Sequence, residues 1–313
     1  MANSSLIDTA LATPAPRRTA WFGWAISVAS LFAFSVAPPI AKVSYAYGLD
    51  PTTTLVVRFA ISALLLGLTI LFTVPSGLRL PRRGLIFALL AGLINGIGNL
   101  TYFWALTRMS TSVSTMLFSL SPLATLGMLA LRGERYTYRQ IIRLALGLGG
   151  AYLLIGPSGG ADVIGILLIG IAVLGSAALM SLMQWYLLDY DARVVTFYII
   201  VAMGGVSAVF WAFQGVQWPP PIWQSWAVIL SLALICTYFA RLALLVGVQH
   251  IGSSQLSLLS PVETALTVIW SVIFLSEQLT LIQWLGSALI LISALLAAHR
   301  LNRANVPATA HPE

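Results

Sequence analysis

The chain has 313 residues, 59% of them hydrophobic and only 8% charged, with a mean hydropathy of +0.92 and a formal charge of +7. A soluble domain carries about 25% charged residues, so polar side chains cannot cover a globular surface here and lipid must do so. A water-soluble enzyme or binding domain is excluded.

Residues 1–20 form a polar tail whose Ala/Pro/Ser/Thr-rich composition predicts disorder. Arg17 and Arg18 precede an apolar run that is too long for a secretory h-region and lacks a small-residue cleavage pattern. Ten apolar spans of about 20 residues follow. The first, 21–45, contains Pro38 and Pro39, which are expected to break it, because proline lacks an N–H and clashes with the preceding turn. Broken helices line cavities in transporters. Lys42, after the break, is either such a cavity residue or an interface cation snorkelling to headgroups. Arg58 lies near one end of the second span, 52–74, and reads as an interface anchor. In the third, 84–106, Asn95, Asn99 and Tyr102 share one face at i, i+4 and i+7. Their polar groups need partners in hydrocarbon, and they are expected to line a polar cavity. The fourth, 111–131, has a short run of small residues, Thr111, Thr115 and Ser119, and a second expected break at Pro122. The fifth is 138–156, and "IGPSGGAD" (155–162) is a turn.

The sixth span, 163–188, ends in Gln184 and Trp185. Trp185 either stacks on a substrate ring or cation or belongs to an interfacial belt. The seventh, 194–214, and the eighth, 222–247, are joined by the stiff "QWPPPIW" turn. The eighth carries Tyr238 and Arg241. The ninth, 253–275, holds Pro261, Glu263 and a stripe of Ser253, Ser257, Ser260, Thr264, Thr267 and Ser271, which reads as a packing seam. After the tenth, 279–299, residues 300–313 form a second polar tail. An intramembrane charge costs several kcal/mol unless paired or hydrated. Glu263 therefore has two readings. It is a cavity carboxylate that binds a cationic group or carries a proton, or it is locked in an ion pair with Arg241.

The positive charge is a topology signal. With the N-terminus inside, the inner segments hold Arg17, Arg18, Arg79, Arg82, Arg83, Arg132, Arg135, Arg139, Arg143, Arg193, Arg300 and Arg303, leaving Lys42, Arg58, Arg108 and Arg241 for the rest. That bias places both termini in the cytoplasm and argues against a nucleic-acid-binding patch.

"LFSLSPLATLGMLALRGERYT" (117–137) is echoed by "LSLLSPVETALTVIWSVIFLSEQLT" (256–280), pairing Ser121-Pro122 with Ser260-Pro261 and Gly133-Glu134 with Ser276-Glu277. "LTYFWAL" (100–106) likewise echoes "CTYFARLAL" (236–244). Five spans per half is an odd number, so the second half enters the membrane from the opposite face. The expectation is an all-α membrane protein of two inverted five-helix repeats, 21–156 and 157–299, with a midplane site between them.

With "DPTTTLVVRFAISALLL" (50–66) and "LFAFSVAPPIAK" (31–42), residues 21–299 resemble the EamA-type branch of the drug/metabolite transporter superfamily. The resemblance implies two five-helix halves around a central cavity, and export of small organic metabolites such as amino acids. The chain departs from the family in lacking a tryptophan-glycine pair in the first helix. It also has Ser260 where many members keep an acid before the second-half proline; Ser260 is placed on the substrate pathway for that reason.

Enzyme motifs are absent from the sequence. His250, His299 and His311 lie apart, no Cys/His cluster has metal-ligand spacing, and "GPSGG" lacks the rest of a phosphate loop. No cofactor or metal is expected. The expectation is a gradient-driven transporter in the cell's inner membrane, acting on a small-molecule substrate along Glu263, Arg241, Lys42, Asn95, Asn99, Tyr102, Gln184, Trp185, Tyr238 and Ser260, with helix breaks at Pro38, Pro39, Pro122 and Pro261. The alternative is a non-transporting membrane scaffold.

Overall fold

The computed structural model of the chain describes residues 17–73, 77–130, 138–155, 162–187, 189–215, 218, 222–251 and 260–304. The two tails beyond Arg17 and Ala304 lie outside the described residues. Helix is the one regular structure among those described, and it occurs at each of the ten expected places. In order these are the first helix in two pieces, Arg17–Ser35 and Ala37–Ala46, then Pro51–Thr73, Arg82–Arg108, the fourth in two pieces, Thr111–Phe118 and Ser121–Ala130, and Tyr138–Ile155. The second half follows with Val163–Leu182 continued by a π turn Met183–Leu187, Ala192–Gln214, and the eighth, Trp223–Ala233 and Ala240–Ile251, joined by a π stretch Leu234–Phe239. Ser260–Leu275 and Leu281–Ala304 complete it. Six of these are long and apolar enough to cross a membrane: 21–46, 51–73, 82–108, 163–187, 192–214 and 223–244.

Burial is the reverse of a soluble protein. Leu64, Phe72, Leu167, Phe213 and Phe274 point outward, while Ser27, Ser30, Ser62, Thr237 and Ser271 are buried. Such a surface suits acyl chains, and the buried hydroxyls bond to backbone carbonyls or neighbouring helices. Ser30 Oγ reaches the carbonyl of Ala240 at 2.8 Å, and Ser62 Oγ that of Ala233 at 3.1 Å. Trp21, Trp218 and Trp223 are exposed at helix ends, where aromatic belts form.

Helix pairing has an internal symmetry. The third helix packs on the sixth and seventh, the eighth on the first and second, and the fourth and ninth on the sixth and first respectively. The second pairs with the seventh, the fourth with the ninth and the fifth with the tenth. Replacing each helix n by n+5 maps this set of contacts onto itself. Small residues permit the close approaches. A Cβ on Gly92 would lie 2.6 Å from the carbonyl oxygen of Ile199, and one on Gly150 would lie 2.7 Å from that of Gly286.

The breaks have a local cause. The first helix is interrupted at Val36, and Pro38 and Pro39 open the piece that follows. The fourth turns at Ser119-Leu120 before Pro122. Pro122 orphans the carbonyl of Phe118, four residues back, and the Ser121 hydroxyl donates to that same oxygen. Pro261 is the second residue of Ser260–Leu275, and residues 252–259 lie outside the described set.

Acids cap the helices. Asp50 Oδ2 accepts from the N–H groups of Thr52 (2.9 Å) and Thr53 (3.1 Å). Asp162 Oδ1 accepts from Ile164 (2.8 Å), and Asp191 Oδ1 from Arg193 (2.9 Å). Hydrogen bonding to the Arg108 guanidinium holds the Asp162 carboxyl below the usual carboxylate range, and Arg193 does the same for Asp191.

Two predictions follow from packing and capping. Gly92→Val meets backbone, which cannot step aside, so its thermal midpoint in detergent should fall by several degrees, in line with an overpacking cost of about 1–3 kcal/mol. Gly170→Val, where a Cβ meets nothing within 4 Å, should leave it unchanged. A carboxyl depressed by folding lends its stability in full above its unfolded pKa of about 3.9 and loses it as pH falls through the folded value. The gap in thermal midpoint between wild type and the Asp162→Asn/Asp191→Asn double variant should therefore hold steady from about pH 8 to about pH 5 and close below about pH 3.

Candidate functional site

Polar groups gather at two levels. The first is an end of the bundle where helices of both halves are tied together. Lys42 Nζ donates to the carbonyls of Leu106 and Met109 (2.8 Å to the latter), at the C-terminal end of the third helix, where a cation meets the negative pole of the helix dipole. Lys42 thus neither snorkels to headgroups nor stands free in a cavity. Glu277, in the segment after the ninth helix, reaches across to the other half. Its Oε1 accepts from the Thr111 N–H at 2.6 Å and its Oε2 from that of Ser112 at 2.9 Å, while the Ser110 hydroxyl accepts from Val113. Trp104 Nε1 donates to Thr52 and Trp211 Nε1 to Thr53, and Gln214 accepts from the Thr52 hydroxyl at 3.0 Å. Arg108 and Asp162 form an ion pair at 2.8 Å. All of these contacts except the local Ser110 cap join segments distant in sequence.

The second level lies within the bundle. Arg58, expected at the lipid interface, is instead 7% exposed. Its Nε donates to Thr237 Oγ1 in the π stretch of the eighth helix, and its guanidinium carbon stands 5.5 Å from the Phe103 ring centroid. The same π stretch lets Thr237 Oγ1 reach the carbonyl of Leu232 at 2.9 Å, five residues back. Wide turns of this kind concentrate at functional sites. Tyr238 bonds Thr69 of the second helix at 2.6 Å. Cys236, in that stretch, is fully buried.

Arg241 and Glu263 do not pair. Among the described residues the ion pairs are Arg108–Asp162 and Arg193–Asp191. Arg241 Nε is buried with no hydrogen-bond partner, and its charged neighbour is Arg58. Glu263 lies in the first turn of Ser260–Leu275, and among the described residues it forms no ion pair with Arg241. The Ser260–Glu263 spacing is that of a capping box, a signal the sequence carries for an acid at this place.

The third-helix polar face finds partners on its own and neighbouring helices. Asn95 is buried and its amide contacts Met203 Sδ of the seventh helix at 3.4 Å. Asn99 donates to the Asn95 carbonyl of its own helix at 3.2 Å. Tyr102 shares a hydrogen with Thr115 at 2.9 Å, tying the third helix to the fourth. Trp185 is half-buried with its ring edge-on to Tyr186, which stacks on Phe87 at 3.9 Å. The side chains of Gln184 and Ser260 lie outside the described residues. In the ninth-helix stripe, Thr264, Thr267 and Ser271 are buried against neighbouring helices, while Ser253 and Ser257 lie outside the described residues. An apolar groove of about 510 Å³ between the first and eighth helices, lined by Val28, Phe32 and Phe239 among others, faces outward and contains none of the polar candidates.

Comparison with known proteins adds the following. The model of the EamA-like transporter family matches twice, over residues 21–156 and 163–298. A solved crystal structure of a protein 20% identical in sequence superposes with a TM-score of 0.63, over 90% of this chain and 98% of that one, and so shares the fold. No curated protein matches the chain.

Two outcomes test this geometry. With no Arg241–Glu263 pair, the stability losses of Arg241→Gln and Glu263→Gln should add within about 0.5 kcal/mol in a double-mutant cycle, and a charge swap should not rescue either single reversal. Glu277→Ala removes a cap from the fourth helix, a loss of about 0.5–2 kcal/mol. It should speed maleimide labelling of buried Cys236 several-fold, whereas unchanged labelling would mean that this contact does not hold the end shut.

Proposed function

The chain belongs to the EamA-like transporter family, and from that premise we propose that it is a secondary active exporter of small organic metabolites, amino acids or related compounds. Ten membrane crossings arranged as two inverted repeats rock against each other around a site near mid-depth. The observation that carries this reading is the pair of matched repeats whose helices pack in an exchange-symmetric pattern, with three ionisable groups, Arg58, Arg241 and Glu263, held inside without salt bridges to one another.

The arginine bias of the predicted inner segments supports cytoplasmic termini in an inner membrane. The Lys42–Glu277 end is then the external one. The cross-half contacts of Glu277 hold it closed, as suits a protein that loads its substrate from the cytoplasm. Opening that end requires Glu277 to release the fourth helix and the helix breaks at Val36 and Ser119 to flex. Glu263 is the proton carrier in this scheme. A carboxylate desolvated inside a membrane protein takes up and gives back a proton near neutral pH.

Proteoliposomes with an imposed pH gradient, screened with amino acids, nucleosides and amines, test both parts. Wild-type protein should move at least one class with a rate set by the gradient. Glu263→Gln should lose that dependence at least ten-fold while retaining exchange. Gradient dependence that persists in Glu263→Gln would remove the proton role, and absence of any solute flux from wild type would remove the transport reading.

A further inference from the structure

Arg58 and Arg241 stand out because no described acid pairs with either. They come from opposite halves, on the second and eighth helices, and the Thr237 hydroxyl that Arg58 Nε bonds lies about one helical turn before Arg241. Like charges at short range repel strongly where water is scarce, and each is costly alone inside a membrane. The described acids are occupied elsewhere. Asp50, Asp162 and Asp191 cap their own helices, Glu277 caps the fourth, Asp189 sits in an exposed turn, and Glu263 forms no ion pair with a described residue. Asp8, Glu134 and Glu313 lie outside the described residues.

The donors themselves are prepared for a ligand. Arg58 spends Nε on Thr237, and its guanidinium lies 5.7 Å from the Phe59 ring centroid and 5.5 Å from that of Phe103, which hold its plane. Its two terminal nitrogens have no acceptor among the described residues. Arg241 Nε is buried and equally unsatisfied. Water can supply acceptors but cannot cancel two positive charges. A planar guanidinium fork matches the oxygens of a carboxylate or phosphate.

We infer that Arg58 and Arg241 form an anion-binding subsite between the two halves, which receives an oxyanion group, carboxylate or phosphate, of the transported solute. This rests on the transporter reading above and narrows its substrates to compounds bearing such a group. Because one arginine belongs to each half, the bound anion also bridges them, so an occupied site draws the second and eighth helices together and an empty one leaves them repelling.

The test uses purified full-length protein and three probes: benzoate, inorganic phosphate and benzamide, the last an uncharged isostere of benzoate. Benzoate or phosphate should raise the thermal midpoint saturably, and benzamide should not. Arg241→Gln and Arg58→Gln should each weaken the apparent anion affinity at least ten-fold. Arg241→Lys, which keeps the charge and loses the fork, should fall between. Circular dichroism and gel filtration report whether each variant folds, and if Arg58→Gln does not, the two Arg241 variants carry the test. Equal responses to benzoate and benzamide, no saturable response to either anion, a response to anionic lipid alone, or unchanged anion affinity in Arg241→Gln each overturn the subsite. An anion-blind protein that still moves solute along a pH gradient overturns the subsite and leaves the transporter reading standing. Anion binding without any flux does the reverse.

Discussion

In hydrocarbon every backbone polar group and every charge must find its partner within the protein, and most of this structure follows from that demand. It explains why buried hydroxyls are spent on carbonyls, as Ser30 is on Ala240. It explains why the few acids sit at helix N-termini, where free N–H groups and the helix dipole welcome them. The same demand governs the breaks. A proline inside a membrane helix leaves a carbonyl bare, and Ser121 covers the one that Pro122 exposes. Ser-Pro is a single structural unit here, in which the break and its remedy are adjacent in sequence.

Against that background a few groups are exceptions. Among the described residues Arg58, Arg241 and Glu263 have no ion-pair partner, and the hydroxyls of Thr111, Ser112, Ser114, Ser181 and Ser225 are buried without a hydrogen bond. Two π segments interrupt the sixth and eighth helices, and the one in the eighth turns Thr237 towards Arg58. The glycine contacts make the third, sixth and seventh helices a rigid pack. The first and fourth helices, each in two pieces, are the elements with built-in joints.

The sequence revealed the helices well, because a run of about 20 apolar residues has few other uses, and prolines located the breaks in the first and fourth. It revealed partners poorly. Glu277 lies 166 residues from Thr111, and no local pattern announces that one caps the other. Arg58 read as an interface residue, and Lys42 as either that or a cavity residue, because each lies near a span end, yet both bond to neighbouring helices once these are in place. Asn95, Asn99 and Tyr102 share a helical face, but a shared face does not say whether a cavity or another helix stands opposite. Here Met203 and Thr115 fill those places. Arg241 and Glu263 attracted each other on paper as opposite charges on neighbouring helices, yet among the described residues they form no ion pair.

The cap that Glu277 places on the fourth helix has a consequence for modularity. The N–H groups of Thr111 and Ser112 belong to one repeat and their acceptor to the other. Neither half is therefore a complete folding unit, although each matches the family model on its own. A chain cut between the repeats would leave the start of the fourth helix without its acceptor until the second repeat docks beside it.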